Sequence, residues 1–406
     1  MRIAYFTSIY PRATDTFIQR EVAGLRQLGH QVFTISTNEP GSEHLISPEV
    51  KKIFDETDYL LPFNPLLLAW LNIQGLLFNT RRYLHAWKIA LKSARPGIKG
   101  FLYQLFYFQE SLLLVQLLKK HQIEHVHNHF GDSSGTITML ASLQSGVGYS
   151  ITIHGPHIFF EPLVWALDLK LKYSKFVACI SHYCQSQIML FSDAADWHKL
   201  KIVHCGIDFN HYQTVQSQSA PTAVQGQPTK LIYVGRLAPE KGVGVMINSL
   251  IKLKQEGTTF ELTLIGDGPE RVHLEQLVAK NDLKENILFH GYANQHTVRA
   301  KLLESDIFVL PSFAEGVPVS FMEAMASGIP VVGTNVGGVS ELIEHGVTGL
   351  IVPPADEDAL KNAISRYIKD PDLRVRISQA ARIYVENEFN LDKELSKLSS
   401  YISEAN

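Results

Sequence analysis

The chain has 406 residues, too many for one ordinary core at roughly 100–200 residues per domain, so two or three domains are expected. With 45% hydrophobic residues, 19% charged residues and 27 glycines, the composition is that of a folded α/β protein and excludes a disordered, collagenous or fibrous chain. Lys+Arg 37 against Asp+Glu 40 leaves a net charge of −3, so no global basic field exists for nucleic acid and any anion must be gripped locally.

The predicted elements begin with an apolar strand over 2–9, a helical pattern over 17–28 that Gly29 stops as a C-cap, and a second strand over 31–36. This is a βαβ unit. Residues 125–128, 150–154, 176–180 and 201–204 read as further short buried strands separated by helical segments, which implies a parallel sheet. The N-terminus enters its strand without the ordered regions of a secretory signal. Cys179, Cys184 and Cys205 are an odd set with no Cys-x-x-Cys pair, which argues for a reducing compartment and against zinc. A cytoplasmic protein is expected.

Between Asp58 and Glu110 the chain has no acidic residue. Arg81, Arg82, Lys88, Lys92, Arg95 and Lys99 are basic there, and Trp70, Phe78, Tyr83, Trp87, Phe101, Tyr103, Phe106, Tyr107 and Phe108 are aromatic. The apolar run 66–78 is too short to cross a bilayer, which needs about 20 apolar residues. Two readings fit the insert at 59–120: a basic, aromatic face lying on anionic lipid, or a helical insert packed on its own domain with a solvated basic face.

Polar composition between His211 and Lys230 marks a linker at 213–229, so the first domain is expected at 1–212. Strands are predicted at 231–234, 260–265, 287–289, 307–311, 330–334 and 349–352, with helices at 243–254, 271–280 and 318–327. That is a second doubly wound domain, at 230–387. Amphipathic helices follow at 358–367 and 373–386, and a last one spans 391–402, within 388–406.

Arg236 and Lys241 fall just past the strand at 231–234, at the edge where open parallel sheets bind ligands. Two cations there, near helix-start N–H groups, suit a diphosphate, while an ion pair of Arg236 with Glu240 explains the arginine equally well. Glu315 falls in the loop after the strand at 307–311, and Glu323 lies inside the following helix among Phe321, Met322, Ala324 and Met325. Pro318 suits that helix's first turn and Gly328 its C′ position. A carboxylate in the helix body suits ribose hydroxyls, and one in the loop reaches a sugar. His125, His127 and His129 share one face of a strand. With no carboxylate nearby in sequence they read as a strand end opening on a cleft rather than a metal site. Asp356-Glu357-Asp358 spells Asp-x-Asp but reads as a helix start.

Gly235-Arg-Leu-x-x-Glu-Lys-Gly242, Leu264-Ile-Gly-Asp-Gly-Pro269, Phe289-His-Gly-Tyr292, the Glu315/Glu323 pair and Gly328-Ile-Pro-Val-Val-Gly-Thr-Asn-Val-Gly-Gly338 resemble the donor domain of retaining family 4 glycosyltransferases. Tyr10-Pro-x-x-Thr-Asp-Thr-Phe-Ile18, His127-Asn-His-Phe130, Thr152-Ile-His-Gly155 and Val203-His-Cys-Gly-Ile-Asp208 resemble the branch that builds exopolysaccharides of the colanic-acid or amylovoran type. The resemblance implies the GT-B architecture, two Rossmann-like doubly wound domains facing across a cleft, with the last helix, within 388–406, crossing back to the first domain. It implies a UDP- or GDP-sugar as co-substrate, no separate cofactor, no metal, and a lipid-linked glycan acceptor at the inner face of the cytoplasmic membrane. By the same resemblance Arg236 and Lys241 neutralise the donor diphosphate, Glu323 binds the ribose, and Glu315 contacts the donor sugar near the reacting carbon. Gly266 and Gly268 let the backbone approach the nucleotide, and Tyr292, Gly316 and Val317 border the donor. His154 faces the sugar as a catalytic residue and, with His129, lines the acceptor side. Where many members carry a Gly-Gly loop after the first strand, this chain has residues 8–16 instead, and His154-Gly-Pro-His157 replaces a more usual His-Gly-His-Asp. Two rivals keep the fold: a sugar-nucleotide epimerase, and a non-catalytic nucleotide-sugar-binding subunit of a polysaccharide assembly. Isomerised donor without acceptor would mark the first, and absence of even slow donor hydrolysis the second.

Overall fold

The structure is a computed structural model describing residues 1–12, 15–45, 47–155, 157–215 and 227–405. Residues 216–226 of the expected linker, and Thr14 and Pro156 of the quoted motifs, lie outside the described residues. The chain divides into two units, Met1–His204 with Glu394–Asn406, and Cys205–Lys393.

The first unit holds seven strands, β1 (Arg2–Ile9), β2 (Gln31–Asn38), β3 (Asp58–Tyr59), β4 (His125–His129), β5 (Gly148–Ile153), β6 (Phe176–Cys179) and β7 (Leu200–Ile202), in the order β3-β2-β1-β4-β5-β6-β7. Every pairing is parallel. Ile3, Ala4, Tyr5 and Phe6 are all buried, as a strand covered by helices on both faces requires. Helix Thr16–Gln27 buries Ile18, Val22 and Leu25 at helical spacing and ends where Gly29 takes φ +89°, the left-handed conformation that glycine adopts without strain.

The second unit repeats the plan with six strands, β8 (Thr229–Val234), β9 (Phe260–Ile265), β10 (Ile287–Gly291), β11 (Ile307–Leu310), β12 (Val331–Thr334) and β13 (Leu350–Val352), ordered β10-β9-β8-β11-β12-β13. In each sheet the strand order reverses at the first strand, between β1 and β4 and between β8 and β11. Loops leaving such a pair at their carboxyl ends diverge and open a crevice. Arg236 and Lys241 follow β8 and Glu315 follows β11 at that point.

The final helix, Leu391–Glu404, belongs to the first unit from Glu394 onward. Its Glu394 Oε2 accepts from the His204 amide at 2.8 Å, Ser399 bonds His30 at 2.8 Å, and Leu395 occupies the space over Gly24. Among the described residues no disulfide forms.

The insert is three helices, Pro65–Phe78, Thr80–Lys92 and Ile98–Lys120. Tyr83 and Phe108 are buried, and Trp87 stacks on Phe108 with ring centroids 4.1 Å apart, so these three aromatics build the insert's own core and are not part of an outer face. Ile98–Lys120 is long and apolar enough to cross a membrane by length and composition, but its Leu112, Leu113, Leu114 and Leu118 are buried and it packs against helix Ser133–Ser145.

Lys170 is 1% exposed, and its Nζ donates to the carbonyls of Gly131 at 2.6 Å and Asp132 at 2.8 Å. Those bonds tie down the turn after β4. Burial pushes the ammonium down to about 7, so above that pH the unfolded chain holds one proton more than the folded one. This residue's contribution therefore makes stability rise with pH from about 7 to the ordinary lysine range, by about 1.4 kcal/mol per pH unit. Chemical denaturation across that range is expected to show the rise in the wild type and a flatter profile in Lys170→Met.

Candidate active site

β8 ends at Val234, and the chain turns through Gly235 and Arg236 to the single turn Pro239–Lys241 and helix Val243–Gln255. Its neighbour β11 ends at Leu310 and leads through Ser312 to Glu315. The Glu240 carbonyl accepts from the Phe313 amide at 2.7 Å, joining the two loops. Lys241 Nζ and Glu315 Oε1 are 2.6 Å apart, with side-chain exposures of 22% and 8%. Ser312 Oγ donates to the same Oε1 at 2.6 Å, and Thr334 on β12 donates to the Ser312 carbonyl. Glu315 is thus a buried carboxylate braced by a cation and a hydroxyl on one oxygen.

Arg236 is exposed, and Glu240 lies 3.9 Å from it, so the ion-pair reading of this arginine is realised. An exposed pair at that distance contributes little, and the guanidinium remains exchangeable toward a stronger anion. Tyr233 fixes its loop by donating to the Arg236 carbonyl at 2.7 Å. The Leu237 amide donates to the Asp267 carbonyl at 3.0 Å, which sets Arg236 beside Gly266 and Gly268. Gly266 has φ +128°, and a Cβ there would run into the Gly235 carbonyl. The Gly266 amide donates to Gly291 at 2.9 Å, bringing the exposed Tyr292 to the same edge. Gly316 and Val317 are buried behind Glu315, and the Gly316 carbonyl accepts from Gly338 at 2.9 Å. Helix Val319–Ala326 begins one residue after Pro318, which stands at the N-cap instead of in the first turn. Gly328 follows it at φ +74°, and Glu323 is 4% exposed within it. Asp356 caps the next helix by accepting from the Ala359 amide at 2.8 Å, so this acidic triplet is a helix start.

In the first unit the expectation of histidines without a carboxylate is corrected. Glu21, on helix Thr16–Gln27, brings Oε1 to 3.1 Å from His129 Nε2 and 3.7 Å from His127 Nε2. The cause is topological: β1 lies beside β4, so the helix leaving β1 passes over the carboxyl end of β4. One ligand atom each of Glu21, His127 and His129 fall within 4.8 Å of one another. Yet His127 Nδ1 and Nε2 already bond the Ser150 and Thr152 hydroxyls at 2.7 and 2.8 Å. His127 is therefore a satisfied core histidine. His129 is fully buried, and its Nδ1 bonds His154 Nε2 at 2.9 Å. That residue, just past β5, is half-buried and has Phe17 and Phe130 packed at 4.6 and 5.1 Å.

These motifs and geometries agree with two sequence families. "Glycosyltransferase Family 4" matches residues 15–211 and "Glycosyl transferases group 1" matches residues 215–384, most of the chain between them. The chain belongs to the family 4 glycosyltransferases. This glycosyltransferase is 29% identical over 413 residues to the amylovoran biosynthesis glycosyltransferase AmsK of Erwinia amylovora, covering 96% of each chain. It is 28% identical to the putative colanic acid biosynthesis glycosyltransferase WcaL of Salmonella typhimurium, covering 98% of this chain and 99% of that one. Among solved structures, Anabaena HepE in complex with UDP and glucose superposes with a TM-score of 0.75 at 18% identity, over the whole of both chains. Sucrose-phosphate synthase from Thermosynechococcus elongatus gives 0.74 at 19%, covering 100% and 98%. The glycosyltransferase thus has the GT-B type of fold. Of its site residues, Ser312 and Glu21 escaped sequence reading, since neither stands in a distinctive motif and each acquires its role from a neighbouring strand.

Proposed function

We propose that the enzyme transfers a sugar, with retention of anomeric configuration, from a UDP- or GDP-sugar to a lipid-linked precursor of an exopolysaccharide. The observation that carries this reading is the Lys241–Glu315 pair at the divergent ends of β8 and β11, beside the exposed Arg236. Breaking a glycosyl–phosphate bond leaves a phosphate anion and an oxocarbenium-like carbon. Arg236 and Lys241 address the first charge, and the Glu315 carboxylate addresses the second. Lys241 and Ser312 both bond Oε1, so Oε2 is the oxygen we assign to the sugar. The same two cations supply the charge that a divalent metal supplies elsewhere, and transfer is expected to persist in chelator. Glu323 takes the ribose, Gly266, Gly268 and Tyr292 border the nucleotide, and His154 serves the acceptor side. The names of the amylovoran and colanic-acid relatives support the polysaccharide product, and the UDP in the HepE complex supports a uridine donor.

A thermal-shift panel of nucleotide sugars tests this reading, because a ligand at a hundred times its Kd stabilises by about 2.7 kcal/mol. One donor is expected to stand out and to release its nucleoside diphosphate faster once acceptor is added. Isomerised donor without acceptor would instead establish an epimerase.

The insert is the part we assign to the inner membrane surface. Leu66, Trp70, Leu77, Phe78, Phe101 and Phe106 are exposed, as are Arg81, Lys88 and Lys92, and exposed apolar residues with a basic rim mark a lipid-facing surface. Burial pushes Glu110, the acid that ends this stretch, up to about 7, which keeps the face positive in mildly acidic solution. Arg82 is tied to the Ser145 carbonyl at 2.8 Å, so the informative variant is Arg81, Lys88 and Lys92 to Gln. At about 1 kcal/mol per basic residue, it is expected to bind phosphatidylglycerol vesicles on the order of a hundredfold more weakly in sedimentation. Unchanged binding would remove this role.

A further inference from the structure

The three helices of the insert and helix Ser133–Ser145 line a cavity of about 270 Å³. Leu71, Phe78, Leu112 and Val115 form its apolar wall, and Gln144 and Lys119 stand on its polar side. Bonds around the space fix the helices that frame it. A Cβ on Gly75 would run into the Tyr83 ring, so glycine sets the approach of the first two helices there. The Tyr83 hydroxyl donates to Asn72 Oδ1 at 2.7 Å, Asn72 donates to Gln109 Oε1 at 2.7 Å, and Gln144 Nε2 donates to Ser111 Oγ at 2.6 Å. An apolar cavity of about 150 Å³ already admits a benzene-sized ligand, so this one has room for the end of a lipid chain.

Phe78 is 75% exposed and Lys119 is exposed, so both stand at the cavity's mouth. Phe78 also belongs to the surface assigned above to lipid, which makes the cavity continuous with that face. Lys120 is paired with Asp58 at 2.9 Å, whereas Lys119 forms no ion pair among the described residues, and no acidic side chain is among those lining the cavity. A cation beside an apolar pocket matches a phosphate that carries a hydrocarbon chain. Lys119 ends the helix that leads into β4, so the cavity lies toward the amino end of the first sheet, while His129 and His154 stand at its carboxyl end.

We infer that this cavity binds one anionic phospholipid of the membrane surface, with the end of one acyl chain among Leu71, Phe78, Leu112 and Val115 and the phosphate on Lys119. The class of ligand rests on the reading that the insert meets the membrane. A lipid held there fastens the insert at a point away from the chemistry, and each methylene that enters the cavity adds to the attraction of the basic face.

Calorimetric titration of the full chain with dihexanoyl phosphatidylglycerol, below its micellar concentration, tests this directly. One molecule is expected to bind per chain. Val115→Trp fills the cavity and is expected to weaken binding more than tenfold. Lys119→Gln, on an exposed side chain that folding does not need, is expected to weaken it about fivefold and to remove the preference over dihexanoyl phosphatidylcholine. Glycerol phosphate, a head without chains, is expected not to bind, which separates a lipid from a free phosphate. Unchanged affinity in both variants, equal affinity of the wild type for the two lipids, or no saturable binding, as for a cavity that holds only water, would overturn the inference. If Val115→Trp fails to fold, Lys119→Gln and the comparison of head groups decide. The Arg81, Lys88 and Lys92 to Gln variant is expected to keep the monomeric lipid while losing vesicles. A wild type that sediments with vesicles yet takes no monomer would overturn the cavity site alone, and one that takes the monomer but no vesicles would overturn the membrane reading alone.

Discussion

Lys241→Ala is expected to lower sugar transfer by about 10²–10³-fold, the usual effect of removing one preorganised group that faces developing charge. Transfer is measured as acceptor-dependent release of nucleoside diphosphate at saturating donor. The variant is also expected to lose about 1–3 kcal/mol of stability in denaturant, because Glu315, 8% exposed at its side chain, is left with the Ser312 hydroxyl as its bracing partner. Adding Glu315→Gln to Lys241→Ala removes the stranded charge. The double variant is therefore expected to recover stability without recovering transfer. That divergence separates a catalytic loss from a folding loss, and near-normal transfer by Lys241→Ala would remove this residue from the chemistry.

Glu315→Gln alone is expected to lower transfer by about 10²-fold or more while the stabilisation produced by the bare nucleoside diphosphate changes by less than about twofold in apparent affinity. The amide still accepts from Ser312 and Lys241 but brings no negative charge to the reacting carbon. In the proposed reading, diphosphate binding depends on Arg236 and Lys241, which the substitution leaves in place. A Glu315→Gln enzyme with wild-type turnover would contradict the role assigned to the carboxylate. Loss of diphosphate binding in the same variant would show that Glu315 acts by orienting Lys241.

The elements that position these side chains follow from local rules readable in the chain. β9, for example, runs over Phe260–Ile265 as its apolar run predicts, and Gly29 and Gly328 stop their helices at positive φ because only a residue without Cβ takes that conformation freely. Edges were harder. β3 is two residues long and pairs with β2 at the sheet margin, too short to carry a period. Helix Gln295–Leu303 buries Val298 and Leu302, too few to show an apolar stripe.

The site divides in the same way. Arg236, Lys241, Glu315 and Glu323 stand in spaced motifs after predicted strands, so their places are implied by the order of elements. Glu21 has no such signature. A single carboxylate on an amphipathic helix reads as a solvated residue until the sheet order sets β1 beside β4 and turns that helix over His129. The aromatic insert misled in the opposite sense. Composition counts Tyr83, Trp87 and Phe108 with the outward rings, whereas packing against one another places them inside.

A crystal soaked in turn with UDP- and GDP-sugars tests the central claim most directly. The account predicts the pyrophosphate within hydrogen-bonding reach of Arg236 and Lys241, with the anomeric carbon facing Glu315. A sugar nucleotide bound elsewhere in the second unit, with those three side chains turned from it, would contradict it.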